Sequence, residues 1–126
     1  MLCVDYLQLV HSGQRLSSEY DEISAVSRGL KAISKDLSIP VLCIAQLNRS
    51  SEREARRPNM SDLRGSGQIE QDADGIMFIH VPEEQNHESE MQRVEIIVAK
   101  RRQGETGMCT LLFDKKRSVF VDERRD

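Results

Sequence analysis

The sequence predicts an α/β fold that contains a mostly parallel, twisted sheet, a covering helix and a C-terminal antiparallel hairpin. Three observations lead to this prediction: an apolar run at the N-terminus ends at an acid, a long amphipathic pattern follows it, and a second apolar run begins after a proline. A strand, a helix and a strand in this order form a βαβ unit, whose strands are parallel and joined by a right-handed crossover. The length of 126 residues suits one domain.

The first strand is predicted at residues 1–4, which are all apolar and are followed by Asp5. A parallel strand covered on both faces has such a continuous apolar sequence, and open α/β sheets bind ligands outside the carboxyl ends of their strands. In phosphate-binding ATPases an acid at this edge holds the magnesium ion that bridges the nucleotide phosphates. A core strand that simply ends in a solvated acid has the same pattern, so Asp5 alone does not decide between the two.

The helix is predicted to begin after Ser18, a suitable N-cap residue with Asp21 three positions later, and to end at residues 36–38. Apolar residues recur every three or four positions and define one buried face. Pro40 prevents the helix from continuing, because the residue before a proline disfavours helical dihedral angles.

Residues 41–45 form the second apolar run, and they bring Gln46 to the edge at which Asp5 is predicted. An amide at this edge can donate a hydrogen bond to a phosphate oxygen or orient a water molecule. An ordinary polar residue at a strand end is the alternative interpretation of Gln46.

The rest of the chain predicts further strands and two polar segments. Residues 48–58 carry Arg49 and three more arginines with almost nothing apolar, which predicts a loop or frayed helix, and residues 82–90 are acidic and polar. Predicted strands cover residues 75–81 and 93–99, and a closing hairpin covers residues 108–114 and 118–122.

Composition limits the possible functions. The formal charge of -3 gives no general attraction to nucleic acid, and the low aromatic content of 4% disfavours base stacking, so nucleic-acid binding would need a local basic patch. Cys3, Cys43 and Cys109 lie far apart inside apolar runs, which predicts buried free thiols in a reducing cytosol. No run approaches the ~20 apolar residues of a membrane helix.

The sequence Arg64-Gly65-Ser66-Gly67 combines a cation with two glycines. Closely spaced glycines let main-chain N–H groups converge on an anion, and the neighbouring guanidinium adds a charged fork. A single-stranded nucleic acid backbone is a suitable ligand, and a flexible turn is the alternative interpretation. The motif lacks the Gly-Lys-Ser/Thr ending of a P-loop.

Three cations, Lys100, Arg101 and Arg102, follow the predicted fourth strand. Cations at a strand end are commonly just solvated. An arginine finger needs the same residue type, because a guanidinium at a subunit boundary can reach the γ-phosphate bound to a neighbour. Arg102 could act in this way only in an oligomer.

Four stretches in fixed order, residues 4–8, 45–49, 61–74 and 99–102, resemble the DnaB-type replicative DNA helicases, and Ser-Asp-Leu-Arg followed by Ser-Gly and Ile-Glu-Gln-Asp-Ala-Asp is specific to that family. The resemblance implies that residues 1–126 are the C-terminal part of a RecA-like P-loop NTPase core. It further implies a hexameric ring that hydrolyses ATP, moves 5′ to 3′ along single-stranded DNA and unwinds duplexes during replication. Such a ring is expected in the cytoplasm at the nucleoid, with a helicase loader and primase as partners.

The resemblance also implies roles for individual residues. Asp5 matches the Walker B acid that binds Mg²⁺, and Gln46 matches the amide that senses the γ-phosphate of ATP and couples it to DNA. Lys100 and Arg102 match the pair that reaches across to the nucleotide of the neighbouring subunit.

The predicted DNA-contacting residues are Arg64 with the backbone of Gly65 and Gly67, which match the central-channel loop, and Arg49 of the basic segment. Gly65 stands where the family usually has Glu, which predicts a looser loop, and Arg101 stands where Gln is common.

Neither a Walker A loop nor the catalytic Glu that precedes the Walker B strand occurs in the sequence, so a fragment is expected. We therefore expect the isolated chain to show no measurable ATPase activity, because nothing in it cradles the phosphates. Steady-state turnover that Asp5→Ala abolishes would contradict this expectation.

Two alternatives remain at this point. One is an ATPase like the RecA and RadA recombinases, which share the acid and the strand-end amide but explain residues 61–74 less well. The other is a non-catalytic nucleic-acid or protein-binding module in which Arg49 to Arg64 grip phosphates. A Gly-Lys-Ser/Thr sequence encoded upstream would favour the enzymes.

Overall fold

The computed structural model describes residues 1–48, 56–63, 65–83 and 88–123. The chain forms two compact units. The first unit comprises Met1–Ser50 and Met60–Ala73, and the second comprises Ser51–Asn59 and Asp74–Asp126.

The first unit contains the predicted βαβ arrangement. Strand β1 (Leu2–Val4) and strand β2 (Val41–Cys43) are parallel, with Leu2 opposite Val41 and Val4 opposite Cys43. Helix α1 (Glu19–Asp36) connects them, and helix α2 (Ser66–Asp72) follows later in the chain. The predicted strand, helix and strand are therefore confirmed.

Helix α1 begins and ends for local reasons. The Ser18 hydroxyl accepts a hydrogen bond from the Asp21 N–H at 3.1 Å, which satisfies one of the unpaired donors of the first turn. At the other end the Leu37 N–H donates to the Ile33 carbonyl at 3.0 Å. Packing then holds the helix, because Ile23 and Val26 are buried together with Leu7.

The second unit is a four-stranded antiparallel sheet in the order β3 (Gly75–His80), β4 (Met91–Arg101), β5 (Gly107–Asp114), β6 (Val119–Asp122). The predicted strands are confirmed, and the antiparallel part is larger than the predicted hairpin because it also includes β3 and β4. Parallel pairing needs a crossover of about a dozen residues or more, and residues 81–90 are too few. β4 also extends two residues beyond the prediction at each end.

A bidentate ion pair joins the basic segment to β4. The Arg57 Nε and Nη2 each lie 2.7 Å from a carboxylate oxygen of Glu95, whose residue is only 7% exposed. The hydrogen bond from Arg57 lowers the pKa of Glu95, so the pair stabilises the fold above the ordinary carboxyl pKa of about 4.3 and loses that contribution as the pH falls through the depressed value. One arginine of the basic segment therefore has a structural partner.

The cysteine prediction is wrong in part. All three thiols are free, but Cys3 and Cys109 are exposed and Cys43 is half-buried, which raises the pKa of the Cys43 thiol. Side chains alternate between the two faces of a strand, so Cys3 lies on the opposite face from Leu2 and Val4, and it is exposed together with its register partner Leu42. Within the described residues no helix combines the length and apolar character needed to cross a membrane.

Candidate functional site

Asp5 and Gln46 lie at the same edge of the parallel sheet. Val4 and Cys43 form the last register pair, Asp5 follows the first of them directly, and Gln46 follows the second by three residues. Two backbone hydrogen bonds extend the contact beyond the strands: the Ile44 N–H donates to the Val4 carbonyl at 2.9 Å and the Leu7 N–H donates to the Ile44 carbonyl at 2.8 Å. The βαβ topology thus brings an acid and an amide to one rim.

The side chain of Gln8 holds the backbone of Gln46. Its Nε2 donates to the Gln46 carbonyl and its Oε1 accepts from the Gln46 N–H, both at 3.2 Å. Gln46 is exposed, and its own side-chain amide makes no hydrogen bond within the described residues, so it is available to a ligand. Sequence reasoning gave Gln8 no role, because a contact between residues 38 positions apart leaves no local signal.

The Asp5 carboxylate is suited to a magnesium ion that is bound mainly by other groups. It is exposed, and within the described residues it makes no hydrogen bond or ion pair. The described residues contain no cluster of three or more His, Cys, Asp or Glu side chains that could hold a metal by themselves. Mg²⁺ is commonly bound by one or two carboxylates with waters and substrate phosphates, and a single unpaired acid fits that mode.

The chain beyond Gln46 is attached to the segment that precedes Arg64. Leu47 and Leu63 form an antiparallel bridge, and the Asn48 N–H donates to the Asp62 carbonyl at 2.7 Å. Leu63 is 5% exposed and Asp62 is 1% exposed, so this junction is buried. Arg64 and Arg49, two of the predicted DNA-contacting residues, lie outside the described part of the chain.

Gly65 is tightly packed against Ile23, and the prediction of a looser loop, which includes Arg64 outside the described residues, stays a prediction. It precedes α2 in the left-handed conformation, with φ +69°, and a Cβ atom on it would lie 2.7 Å from Cγ2 of Ile23. A side chain at this position requires Ile23 to shift. Gly67 is also close to α1, because its Cβ would lie 3.3 Å from the Tyr20 hydroxyl.

Polar contacts fasten α2 to α1. The Ser27 hydroxyl donates to Asp72 at 2.7 Å, and the Arg28 guanidinium donates to the Gln68 side chain at 3.1 Å. The Gln68 amide in turn donates to Asp72 at 3.0 Å. The segment that follows Arg64 is therefore held by the same helix that connects the strand of Asp5 to the strand of Gln46.

The packing of Gly65 predicts the effect of a substitution. Gly65→Ala is expected to destabilise the protein by about 2–4 kcal/mol, from about 1 kcal/mol of left-handed strain and the clash with Ile23. Gly13→Ala is the matched control, because Gly13 has φ +75° and nothing within 4 Å of its Cβ position. Urea unfolding should show a larger loss at residue 65, and equal losses would contradict the packing argument.

Lys100 and Arg102 belong to the second unit. Lys100 is half-buried near the end of β4, and Arg102 follows the strand directly. The Arg102 N–H donates to the Asp74 carbonyl at 2.8 Å, and its Nη1 lies 3.2 Å from Asp74 Oδ1. The structure thus holds Arg102 beside an acid of its own chain, a partner that the sequence did not indicate.

A parallel βαβ unit with an acid and an amide at its carboxyl edge defines a class of α/β proteins that bind ligands at this edge. The family model of the DnaB-like helicase C terminal domain matches residues 1–122, and the chain belongs to that family.

Individual relatives support the assignment to this family. The replicative DNA helicase DnaB of Geobacillus stearothermophilus is 45% identical over 129 residues, which cover 99% of this chain and 28% of that protein. A solved structure of a DnaB-like replicative helicase, described with its interactions with primase, superposes with a TM-score of 0.85 at 38% identity over 97% of this chain and 30% of that one. A solved ATPase domain gives the same TM-score at 37% identity over 97% and 44%. The predicted family and fold class are confirmed.

Proposed function

We propose that this chain is part of the motor domain of a replicative DNA helicase, which binds ATP with Mg²⁺ and uses its hydrolysis to move along single-stranded DNA. The observation that carries the proposal is the common edge of Asp5 and Gln46, together with the bridge from Leu47 to Leu63 beside Arg64. Family membership supports the helicase function, and the chain spans 28% of the length of the Geobacillus relative, so the activity of a whole helicase is part of this proposal.

Each residue at the edge has a chemical task. Asp5 would hold the metal with a carboxylate that makes no hydrogen bond or ion pair within the described residues, and the ion would supply positive charge against the phosphates. Gln46 presents its side-chain amide to the γ-phosphate, while Gln8 fixes its backbone from behind. Because these hydrogen bonds hold the Gln46 backbone, a pull of the phosphate on the amide is passed on to the main chain of this segment.

The response of Gln46 has a short path to the DNA-contacting loop. Leu47 follows Gln46, and its bridge partner Leu63 precedes Arg64. The loop continues into α2, which is fastened to α1. A displacement at the nucleotide edge would thus reach the segment that precedes Arg64 through the backbone contacts of residues 47–48 with residues 62–63.

Lys100 and Arg102 act on the nucleotide of the neighbouring subunit in the proposed hexameric ring. This role does not require them to contact Asp5 or Gln46 of their own chain. Primase and a helicase loader are proposed partners, the former because a solved relative is described with it. The ring is proposed to act in the cytoplasm at the nucleoid.

The test uses the full-length protein that contains this chain. Steady-state ATPase assays with and without single-stranded DNA, and strand displacement on a forked duplex with a 5′ tail, should show DNA-stimulated hydrolysis and 5′-to-3′ unwinding. DNA binding without hydrolysis would indicate the non-catalytic module instead, and strand exchange without unwinding would indicate a recombinase.

A further inference from the structure

The second unit contains an ion pair at the place where β3 begins and β4 ends. Gly75 is the register partner of Arg101, so Asp74 and Arg102 are the next pair along the two antiparallel strands. They contact each other twice, through the backbone hydrogen bond of 2.8 Å and through the side-chain ion pair of 3.2 Å.

The geometry leaves the guanidinium able to bind a second ligand. One nitrogen of Arg102 contacts one oxygen of Asp74, and the two side chains are 54% and 61% exposed. A guanidinium has five N–H donors in a planar fork, so a single contact to a carboxylate leaves most of them for a phosphate. Asp74 thus restricts the direction of the side chain without covering it.

We propose that Asp74 is a positioning residue for Arg102, which it orients toward the γ-phosphate of the nucleotide on the neighbouring subunit. This inference rests on the proposed function of Arg102. An exposed ion pair by itself contributes little to stability, because holding two long side chains costs entropy. Here the backbone hydrogen bond fixes the two residues side by side, and the carboxylate contact then acts on the direction of the guanidinium. A guanidinium that is oriented before the reaction loses less entropy in the transition state, which lowers the activation free energy of hydrolysis.

The acid is part of the stretch Ile-Glu-Gln-Asp-Ala-Asp, whose last residue is Asp74. Asp72 of the same stretch accepts a hydrogen bond from Ser27 and so links α2 to α1. Asp74, by contrast, contacts Arg102, a proposed catalytic cation.

The experiment measures ATPase kinetics of the full-length ring with Asp74→Asn, which removes the charge and keeps the size. We expect kcat to fall by about three- to tenfold with an unchanged KM for ATP. Asp74→Glu, which restores the carboxylate, should recover part of the loss. Asp122→Asn is the matched control at an exposed acid of β6, and it should leave both constants unchanged.

The decisive measurement uses a double variant, in which Asp74→Asn is combined with Arg102→Ala in the same ring. If Asp74 acts through Arg102, no further loss of kcat occurs in that background. A wild-type kcat for Asp74→Asn, or an equal loss with and without Arg102, would overturn the inference while leaving the proposed function intact. If Arg102→Ala itself leaves kcat unchanged, the proposed function of Arg102 fails, and the inference fails with it.

Discussion

Arg102→Ala in the full-length ring is expected to lower kcat for ATP by about 10³- to 10⁵-fold, the range found for arginine fingers, and to leave nucleotide affinity nearly unchanged. The reason is that the guanidinium meets charge that develops on the γ-phosphate only in the transition state, so its loss affects hydrolysis more than binding. Steady-state kinetics combined with equilibrium binding of a nonhydrolysable ATP analogue measure the two effects separately.

Arg101→Ala is the matched control for Arg102, because the Arg101 side chain lies over the turn, with its Nε 3.0 Å from the Cβ position of Gly104. It should change kcat little. Arg102→Lys should recover only part of the activity, because an ammonium lacks the planar fork. Equal losses of binding and hydrolysis in Arg102→Ala would contradict the proposed role.

Mixed rings test whether Arg102 acts across the subunit boundary. A subunit with Arg102→Ala keeps its own Asp5, and a neighbour with Asp5→Asn keeps its own Arg102. Mixing the two inactive variants should therefore restore activity at those boundaries where an intact Asp5 meets an intact Arg102. Absence of any complementation would indicate that both residues serve one subunit's nucleotide.

The sequence predicted the elements of the first unit because their signals are local. The Ser18 cap, the apolar periodicity of α1 and the stop at Pro40 all lie within a few residues of the feature that they specify. The common edge of Asp5 and Gln46 followed from topology, since a strand–helix–strand unit makes the two strands parallel and brings their carboxyl ends to the same edge.

Contacts between distant residues could not be predicted in the same way. Gln8 and Gln46, Arg57 and Glu95, and Asp74 and Arg102 are each separated by 28 to 38 positions, and no local pattern marks such pairs. For Gly65 the local pattern indicated the wrong reason for the glycine. Two glycines close together in the sequence indicate flexibility, whereas Gly65 is needed because the chain turns in a left-handed conformation against Ile23, and this depends on how two helices pack.

Asp5→Asn is expected to reduce Mg²⁺-dependent hydrolysis by about 10²- to 10³-fold, since a metal that stabilises transferring phosphate contributes several kcal/mol. The amide keeps the size of the side chain but loses the charge that binds the cation. A titration with Mg²⁺ at saturating ATP should show a higher concentration for half-maximal activity, or no saturation.

Asp36→Asn, at the exposed end of α1, is the control and should leave the Mg²⁺ dependence unchanged. Because the Asp5 carboxylate makes no hydrogen bond or ion pair within the described residues, its loss should not alter the melting temperature. An activity loss with unchanged stability can then be assigned to the metal. Wild-type hydrolysis with an unchanged Mg²⁺ dependence would mean that the edge formed by β1 and β2 does not hold the nucleotide's metal.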